Sequence, residues 1–400
     1  MIEIEKQIDI LRRGAVDFIS AEGMSAKLQK KKRLRVKLGV DPTSPDIHLG
    51  HTVVLQKLRR FQDLGHQAVL IIGDYTALVG DPSGVQKTRP QLTAEEIERN
   101  ARTYFTQVQK ILEMKTLEIR YNGEWFQKMS FQEVIQLASR MTVARMLERD
   151  DFSKRFKKGS PIAIHEFIYP LMQGYDSLMV KADVELGGTD QLFNLLVGRQ
   201  LQKEDGLDSQ IVITTPLLEG TDGVQKMSKS LNNYIGVADS ADDIYGKVMS
   251  ISDTLMWKYY ELLSGISLDD IKQKRLQADA GKLNPKHIKM ELAKELVERF
   301  YSKKDASEAQ SNFERIFQKK QDPIDIETVI LKAEPQKIFI SKIMVAAECA
   351  VSNTEARRLI EQGAVFIDHR KIMDPQEKID AAGEFTLKVG KRRFKKVIFK

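Results

Sequence analysis

Cysteine is almost missing from this sequence: Cys349 is the single one in 400 residues. That excludes a disulfide framework and any multi-cysteine zinc site, and a reducing compartment is the expectation. No run approaches eighteen uninterrupted apolar residues, so no membrane span is expected. The opening stretch, MIEIEKQIDILRRGAVDFIS, mixes acids among its apolar residues and lacks the apolar core of a signal peptide. Internal repeats and low-complexity tracts are absent, and so is the lopsided charge of a disordered chain. A soluble, cytoplasmic protein is the expectation. What is present is 42% hydrophobic residues over a length that predicts two or three domains with a large core.

The net charge is +7, and its distribution matters more than its size. Between Leu331 and Lys400 stand 15 basic and 9 acidic residues, so the rest of the chain is nearly neutral. A compact basic module on a neutral body implies a polyanionic partner, nucleic acid first. A solubilising tail is the plainer alternative, but KRRFKKVIFK alternates basic and apolar residues and reads as a strand. The run KLQKKKRLRVK, Lys27 to Lys37, is read as solvated surface leading into a strand.

Along the first half, strands, glycine-rich turns and helices alternate. Arg35–Val40 and the continuous apolar run Gln67–Gly73 read as strands, the second of the kind buried in parallel sheets. Further strand candidates are Leu117–Tyr121, Asp183–Leu186 and Gln210–Thr214. A helix is expected from about Leu49 to Leu64, closed by Gly65. A second is expected over Thr93–Met114, with Thr93 as N-cap and Glu96 completing a capping box. This grammar predicts an α/β fold, a Rossmann-like doubly wound parallel sheet over residues 1–230, with ligands at the carboxyl ends of the strands. Residues 231–325 read as an α-helical domain. Gln321, Asp322, Pro323 and Pro335 mark a linker region, and a small α+β module is expected over 337–400, with helices at Ser341–Ala350 and Asn353–Gln362 before a strand and a hairpin.

Two clusters carry phosphate chemistry. In His48-Leu49-Gly50-His51, after Asp41-Pro42-Thr43, two imidazoles share one face at a helix start, where backbone N–H groups and the helix dipole favour phosphate oxygens. Gly50 leaves room for a base or ribose. A zinc site would need HExxH spacing and a third ligand, and both are absent. By itself the motif is weak, and a pair of surface histidines explains it better. In Lys226-Met227-Ser228-Lys229-Ser230, two lysines with interleaved hydroxyls can hold a departing pyrophosphate; by composition alone, an ordinary exposed basic loop is the better reading. A third cluster, Tyr169-Pro170-Leu171-Met172-Gln173-Gly174-Tyr175-Asp176, puts Tyr169, Gln173 and Asp176 on one helical stripe, costly to bury without a polar ligand.

HLGH and KMSKS flanking one sheet resemble the HIGH and KMSKS signatures of the class I aminoacyl-tRNA synthetases, with Leu49 in place of Ile. YxxxQxxD, Gly187-Gly188-Thr189-Asp190-Gln191 and Gly80-Asp81-Pro82-Ser83-Gly84 together resemble the bacterial tyrosyl-tRNA synthetases, over nearly the whole chain. That resemblance implies a tyrosine–tRNA ligase. Tyrosine and ATP, the latter with Mg2+ and no prosthetic group, would give tyrosyl-adenylate and pyrophosphate. Tyrosine would then pass to the 3′ end of tRNA-Tyr, releasing AMP.

The resemblance also implies residue roles. His48, His51, Thr43, Lys226, Ser228 and Lys229 would contact ATP and its transition state, with Gly50 near adenine. Tyr169, Gln173 and Asp81 would bind the ammonium of tyrosine, beside Gly39, Asp41, Thr76 and Gln191, while Asp176 would take its phenol hydroxyl. Asp190 would reach the ribose or cap a helix. Lys37 stands where many relatives have a tyrosine that donates to that hydroxyl; it either pairs with Asp176, the expectation adopted, or turns outward. A homodimer is implied, with its interface in about residues 117–164. The C-terminal module resembles the S-four RNA-binding fold, with Arg357, Arg358, Arg370, Lys371, Arg392 and Arg393 as candidate phosphate contacts.

Overall fold

A computed structural model describes residues 3–83, 93–317, 326–333, 336–390 and 393–400. Two compact units are present, Met1–Ala309 and Gln310–Lys400.

In the first unit, six strands are β1 (Phe18–Ile19), β2 (Arg35–Val40), β3 (Gln67–Ile72), β4 (Glu118–Tyr121), β5 (Val184–Gly188) and β6 (Ile211–Thr215), in the order β1-β6-β5-β2-β3-β4. β2 to β6 pair in parallel, and β1 runs antiparallel against β6. The runs that read as strands in the sequence therefore form the sheet, within a residue or two at their ends. β1 has two residues, too few for a pattern. Val36, Val69, Ile71, Val184 and Ile213 are fully or almost fully buried, as expected of a parallel sheet covered on both faces. The order reverses between β2 and β5, which leaves a crevice at their carboxyl ends.

The helix after β2 is Leu49–Asp63, one residue short of expectation. The helix after β3 has the foreseen capping box: the Glu96 N–H donates to Thr93 Oγ1 (3.2 Å) and the Thr93 N–H to Glu96 Oε2 (2.9 Å). It ends at Val108 instead of Met114. Tertiary contacts override its propensity there, because the Gln62 amide donates to the Glu113 carbonyl (2.9 Å) and accepts the Glu113 N–H (3.0 Å), pinning the chain into a turn. Beyond the change of texture near residue 230 come helices Ala241–Ser250, Asp253–Leu263, Leu268–Asp279 and Pro285–Phe300. Their N-caps Ser240, Ser252, Ser267 and Asn284 each accept a backbone N–H from the first turn.

The second unit contains β7 (Thr328–Leu331), β8 (Ile338–Phe339), β9 (Val365–Ile367), β10 (Arg370–Ile372), β11 (Lys378–Ile379), β12 (Glu384–Val389) and β13 (Arg393–Phe399). Five of them form a sheet in the order β10-β9-β12-β13-β7. Helices Ile340–Ala346 and Asn353–Glu361 share with that sheet a core that includes Met344, Ile360, Leu387 and Val397. The basic C-terminal run is indeed a strand: Phe394, Val397 and Phe399 are buried while Lys395 and Lys396 are half-exposed. It is an internal strand, because β7 pairs with it in parallel, so the sheet draws on residues before Lys337. The linker residues Gln321, Asp322, Pro323 and Pro335 lie outside the described residues, as do Gly84 and Arg392. Among the described residues no helix is long and apolar enough to cross a membrane.

Candidate active site

The carboxyl ends of β2 and β5 open into two adjoining cavities of 260 and 410 Å³. Thr43, Ser44, Asp46, His51, Val54 and Gly188 line both, so they form one crevice. Gly39, Asp41, Thr76, Asp81, Tyr169, Gln173, Asp176 and Gln191 line the smaller one. His48, Gly50, Asp190, Lys226, Ser228 and Lys229 line the larger one. Segments about 180 residues apart in sequence thus converge where the strand order reverses.

The smaller cavity is walled by carboxylates that accept from neutral donors, with Arg149 also within ion-pair distance of Asp81 (3.8 Å) and Lys229 donating to Asp46. Asp41 accepts from Thr76 Oγ1 (2.8 Å) and from the Tyr169 hydroxyl (2.8 Å). Burial first, then the Asp41 charge, pushes the Tyr169 phenol well above its usual range, so it stays a donor. Gly73 makes this corner possible: a Cβ there would stand 1.9 Å from Asp41 Oδ1 and 2.2 Å from Thr76 Oγ1. Asp81 accepts from Gln191 Nε2 (2.8 Å) and the Ser83 N–H (2.8 Å). Asp176 accepts from Trp125 Nε1 (2.9 Å) and Asn122 Nδ2 (3.3 Å). Burial raises the Asp176 carboxyl to about 7, against the pull of Lys37 and its two donors. A carboxylate has about four lone-pair sites, so Asp176 with two donors can also accept from a hydroxyl entering from the cavity.

Sequence reasoning missed the residues that hold these groups. Asn122 donates to both Thr76 Oγ1 (3.0 Å) and Asp176, and so ties the two carboxylate corners together. Arg149, buried, donates to Ser83 Oγ (2.7 Å) and Asn194 Oδ1 (3.1 Å), while Asn194 Nδ2 donates to Gln173 Oε1 (3.0 Å). Asn122 and Trp125 follow the end of β4, a place where the fold puts ligands. For Arg149 no sequence signal exists.

In the larger cavity the histidine rings stack, with centroids 3.9 Å apart. The His48 N–H donates to His51 Nδ1 (3.2 Å), which leaves the proton of a neutral His51 on Nε2. Desolvation inside the crevice and the nearby Lys229 charge depress His51 to about 4, although its side chain is open to solvent, and desolvation with the His51 and lysine charges depresses His48 to about 2. Both are neutral donors at pH 7. His48 Nδ1 is buried without a hydrogen-bond partner among the described residues. Asn233 shapes the KMSKS loop: it accepts the Ser228 N–H (2.8 Å) and donates to the Lys226 carbonyl (3.2 Å) and to Asp222 (2.7 Å). Lys229 reaches across the cavity and donates to Asp46. Desolvation by the surrounding crevice wall, then the Asp81 charge, raises the Asp190 carboxyl. Asp190 lies inside a 3-10 turn, Thr189–Gln191, and caps neither that turn nor the helix that follows.

Lys37 corrects one expectation. It is completely buried and pairs with Glu185 (2.7 Å), not with Asp176, and its other protons go to Ser177 Oγ (2.8 Å) and the Gln173 carbonyl (2.7 Å). The strand pairing explains this: Lys37 and Glu185 are register partners on β2 and β5. Lys37 lines neither cavity and does not turn outward.

In the second unit Arg357 and Arg358 are exposed on helix Asn353–Glu361. Arg370 pairs with Glu377 (2.6 Å), and Arg393 donates to the Cys349 carbonyl (2.8 Å). Lys371 is exposed and its stem lies over Gly363, where a Cβ would come within 2.6 Å of it.

The family of class I tRNA synthetases for tryptophan and tyrosine matches residues 29–318, and the S4 domain family matches residues 340–384. A tyrosine–tRNA ligase of Francisella tularensis is 54% identical over the whole length of both chains. One of Thermotoga maritima is 52% identical, covering 98% of this chain and 97% of its own. Among solved structures, a C-terminally truncated mitochondrial tyrosyl-tRNA synthetase of Aspergillus nidulans matches with TM-score 0.65 at 22% identity, over 79% of this chain and 95% of its own. The tyrosyl-tRNA synthetase of Archaeoglobus fulgidus, solved with L-tyrosine, matches with TM-score 0.62 at 22% identity, over 77% and 100%. With both signature clusters converging on one crevice and full-length relatives at this identity, the chain belongs to the tyrosine–tRNA ligases of the class I synthetase family.

Proposed function

We propose that the chain joins tyrosine to tRNA in two steps within this crevice. The observation that carries the reading is the continuity of the two cavities. One ends on Asp176 with Trp125 and Asn122; the other is flanked by both histidines and both KMSKS lysines. The phenol hydroxyl donates to Asp176, and the ammonium lies among Asp41, Asp81, Tyr169 and Gln173, with Thr76, Gln191 and Gly39 completing the wall. The carboxylate of tyrosine attacks the α-phosphorus of ATP and pyrophosphate departs. His48 and His51, as neutral donors, together with Lys226, Lys229 and Thr43, stabilise the charge that develops on the phosphate oxygens, and Ser228 supports the loop. Gly50 gives the adenine room, and Asp190 takes the ribose. In the second step a ribose hydroxyl of the terminal adenosine of tRNA-Tyr attacks the carbonyl carbon of the mixed anhydride, and AMP leaves. Positioning and electrostatics suffice, without a protein nucleophile.

Magnesium would arrive on the nucleotide phosphates. Among the described residues no cluster of three or more His, Cys, Asp or Glu forms a resident metal site. Arg357, Arg358 and Lys371 offer uncommitted charge to RNA phosphates, with Arg370 and Arg393 partly engaged inside the protein. Phe131, Ile135, Val143, Phe156 and Ile164, from 54% to 82% exposed, support a homodimer through residues 117–164. A tyrosine-dependent ATP–pyrophosphate exchange assay tests the reading, with tryptophan and phenylalanine as competitors. Exchange that follows tryptophan, or no amino acid at all, would overturn it.

A further inference from the structure

We propose that a third cavity, away from the catalytic crevice, is a binding site for a condensed phosphate: inorganic tripolyphosphate or the phosphate chain of a small phosphorylated metabolite. It has a volume of 530 Å³ and lies where Arg59 and Arg60, near the far end of helix Leu49–Asp63, meet Arg13, Lys110 and Arg299. Arg60 is nine residues beyond His51, about 14 Å along the helix axis. Five cations line the cavity against one carboxylate, Asp63.

Some of these charges have structural partners. Arg13 donates to the Ser264 carbonyl (2.9 Å) and to Ile266 (2.5 Å), and Arg299 to the Leu263 carbonyl (2.5 Å) and Glu295 (2.8 Å). Arg59 is taken by Asp63 (2.7 Å). What remains is one-sided. Arg60 has a single acceptor, the Arg13 carbonyl at 3.2 Å, and no carboxylate within ion-pair distance among the described residues. The Lys110 ammonium faces the Tyr301 ring at 4.7 Å and has no hydrogen-bond acceptor there. Gln56 Nε2, on the same wall, is buried with no hydrogen-bond partner among the described residues. Three under-used donors on one cavity call for a ligand made of acceptors, and a guanidinium recognises phosphate by its fork of N–H groups. Burial, then the Arg13 and Arg299 charges, presses Arg60 down to about 10, so an anion would relieve repulsion already present. Apart from Ile10 and Ile111 the lining is polar or charged, or glycine, and offers no aromatic surface for stacking a base. A compact polyanion therefore fits better than a nucleoside or an RNA chain.

The test is titration calorimetry with inorganic tripolyphosphate on the full chain carrying Lys226→Ala and Lys229→Ala, which weakens binding in the catalytic crevice. One site should remain, and adding Arg60→Gln should weaken it at least tenfold. In the otherwise native chain Arg60→Gln should leave ATP–pyrophosphate exchange unchanged. It should also hold or raise the melting temperature in phosphate-free, low-salt buffer, whereas a guanidinium serving only as structural support would lower it. Lys110→Gln serves as the second variant if Arg60→Gln does not fold, with a smaller loss expected. Absence of tripolyphosphate binding overturns the proposal, as does binding indifferent to both substitutions. So does a loss confined to tRNA, which would make the cavity an RNA-backbone contact.

Discussion

Replacing Asp176 by asparagine keeps the shape of the smaller cavity and changes its chemistry. The carboxylate accepts from Trp125 Nε1 and Asn122 Nδ2, both donors, and has acceptor capacity left for the phenol hydroxyl. An amide offers one oxygen and two N–H donors, so it cannot serve both partners and the phenol together. The lost hydrogen bond to a charged acceptor is worth about 1.5–3 kcal/mol, or about ten- to 150-fold in the preference for tyrosine over phenylalanine. The pH dependence follows from the carboxyl lying at about 7 in the folded protein. Tyrosine kcat/KM, which reports the free enzyme, should rise between pH 6 and 8 as Asp176 ionises, and Asp176→Asn should flatten that rise. Stability runs the opposite way. Because the folded value lies above the ordinary 3.8, the native state holds the proton more tightly. The stability this adds is complete below about pH 4 and is lost as pH climbs through 7, about 4 kcal/mol in all. Urea unfolding should therefore show Asp176→Asn gaining on the wild type as pH rises from 4 to 8. ATP–pyrophosphate exchange with both amino acids decides the first point: a tyrosine-to-phenylalanine ratio within threefold of wild type in the variant would refute the reasoning.

Lys229→Ala should lower the rate of tyrosine activation about a hundred- to a thousandfold, with tyrosine affinity nearly unchanged, in pre-steady-state adenylate formation. Lys37→Met strands Glu185 in the core and should cost about 3–5 kcal/mol in urea unfolding. Pairing it with Glu185→Gln should recover most of that loss, since the uncompensated charge is what hurts. Arg357→Ala and Arg358→Ala should each reduce the salt dependence of tRNA binding by about one counterion while sparing tyrosine activation, measured by filter binding across a salt series. Phe156→Asp, which puts a charge on one of the exposed apolar side chains of residues 117–164, should turn the proposed homodimer into a monomer by analytical ultracentrifugation.

The elements that were legible in the sequence share a property: their own residues carry the pattern. Residues 68–72 are apolar throughout because both faces of that strand are covered, and Thr93 with Glu96 spells a capping box locally. The premature end at Val108 was not legible, because a glutamine on another helix imposes it. β7 was hidden because four residues with half-exposed alternation read as a strand only beside β13. Lys37 shows the same limit inside the site. Its rank in the motif pointed at Asp176, while the register of β2 against β5 gave it Glu185.

From the sequence alone came the chemistry: two histidines, two lysines, and a helical stripe of tyrosine, amide and carboxylate, all with side chains that local spacing already grouped. The tertiary structure decided which of those groups face each other and what supports them. Asn122 and Trp125 under Asp176 and Arg149 behind Asp81 come from segments whose own patterns say nothing of binding, whereas Asn233 follows the lysine motif closely and gains its role from the fold of that loop. The physical reason is that a buried carboxylate needs donors at fixed distances, and only a reversal in strand order brings distant segments close enough to supply them.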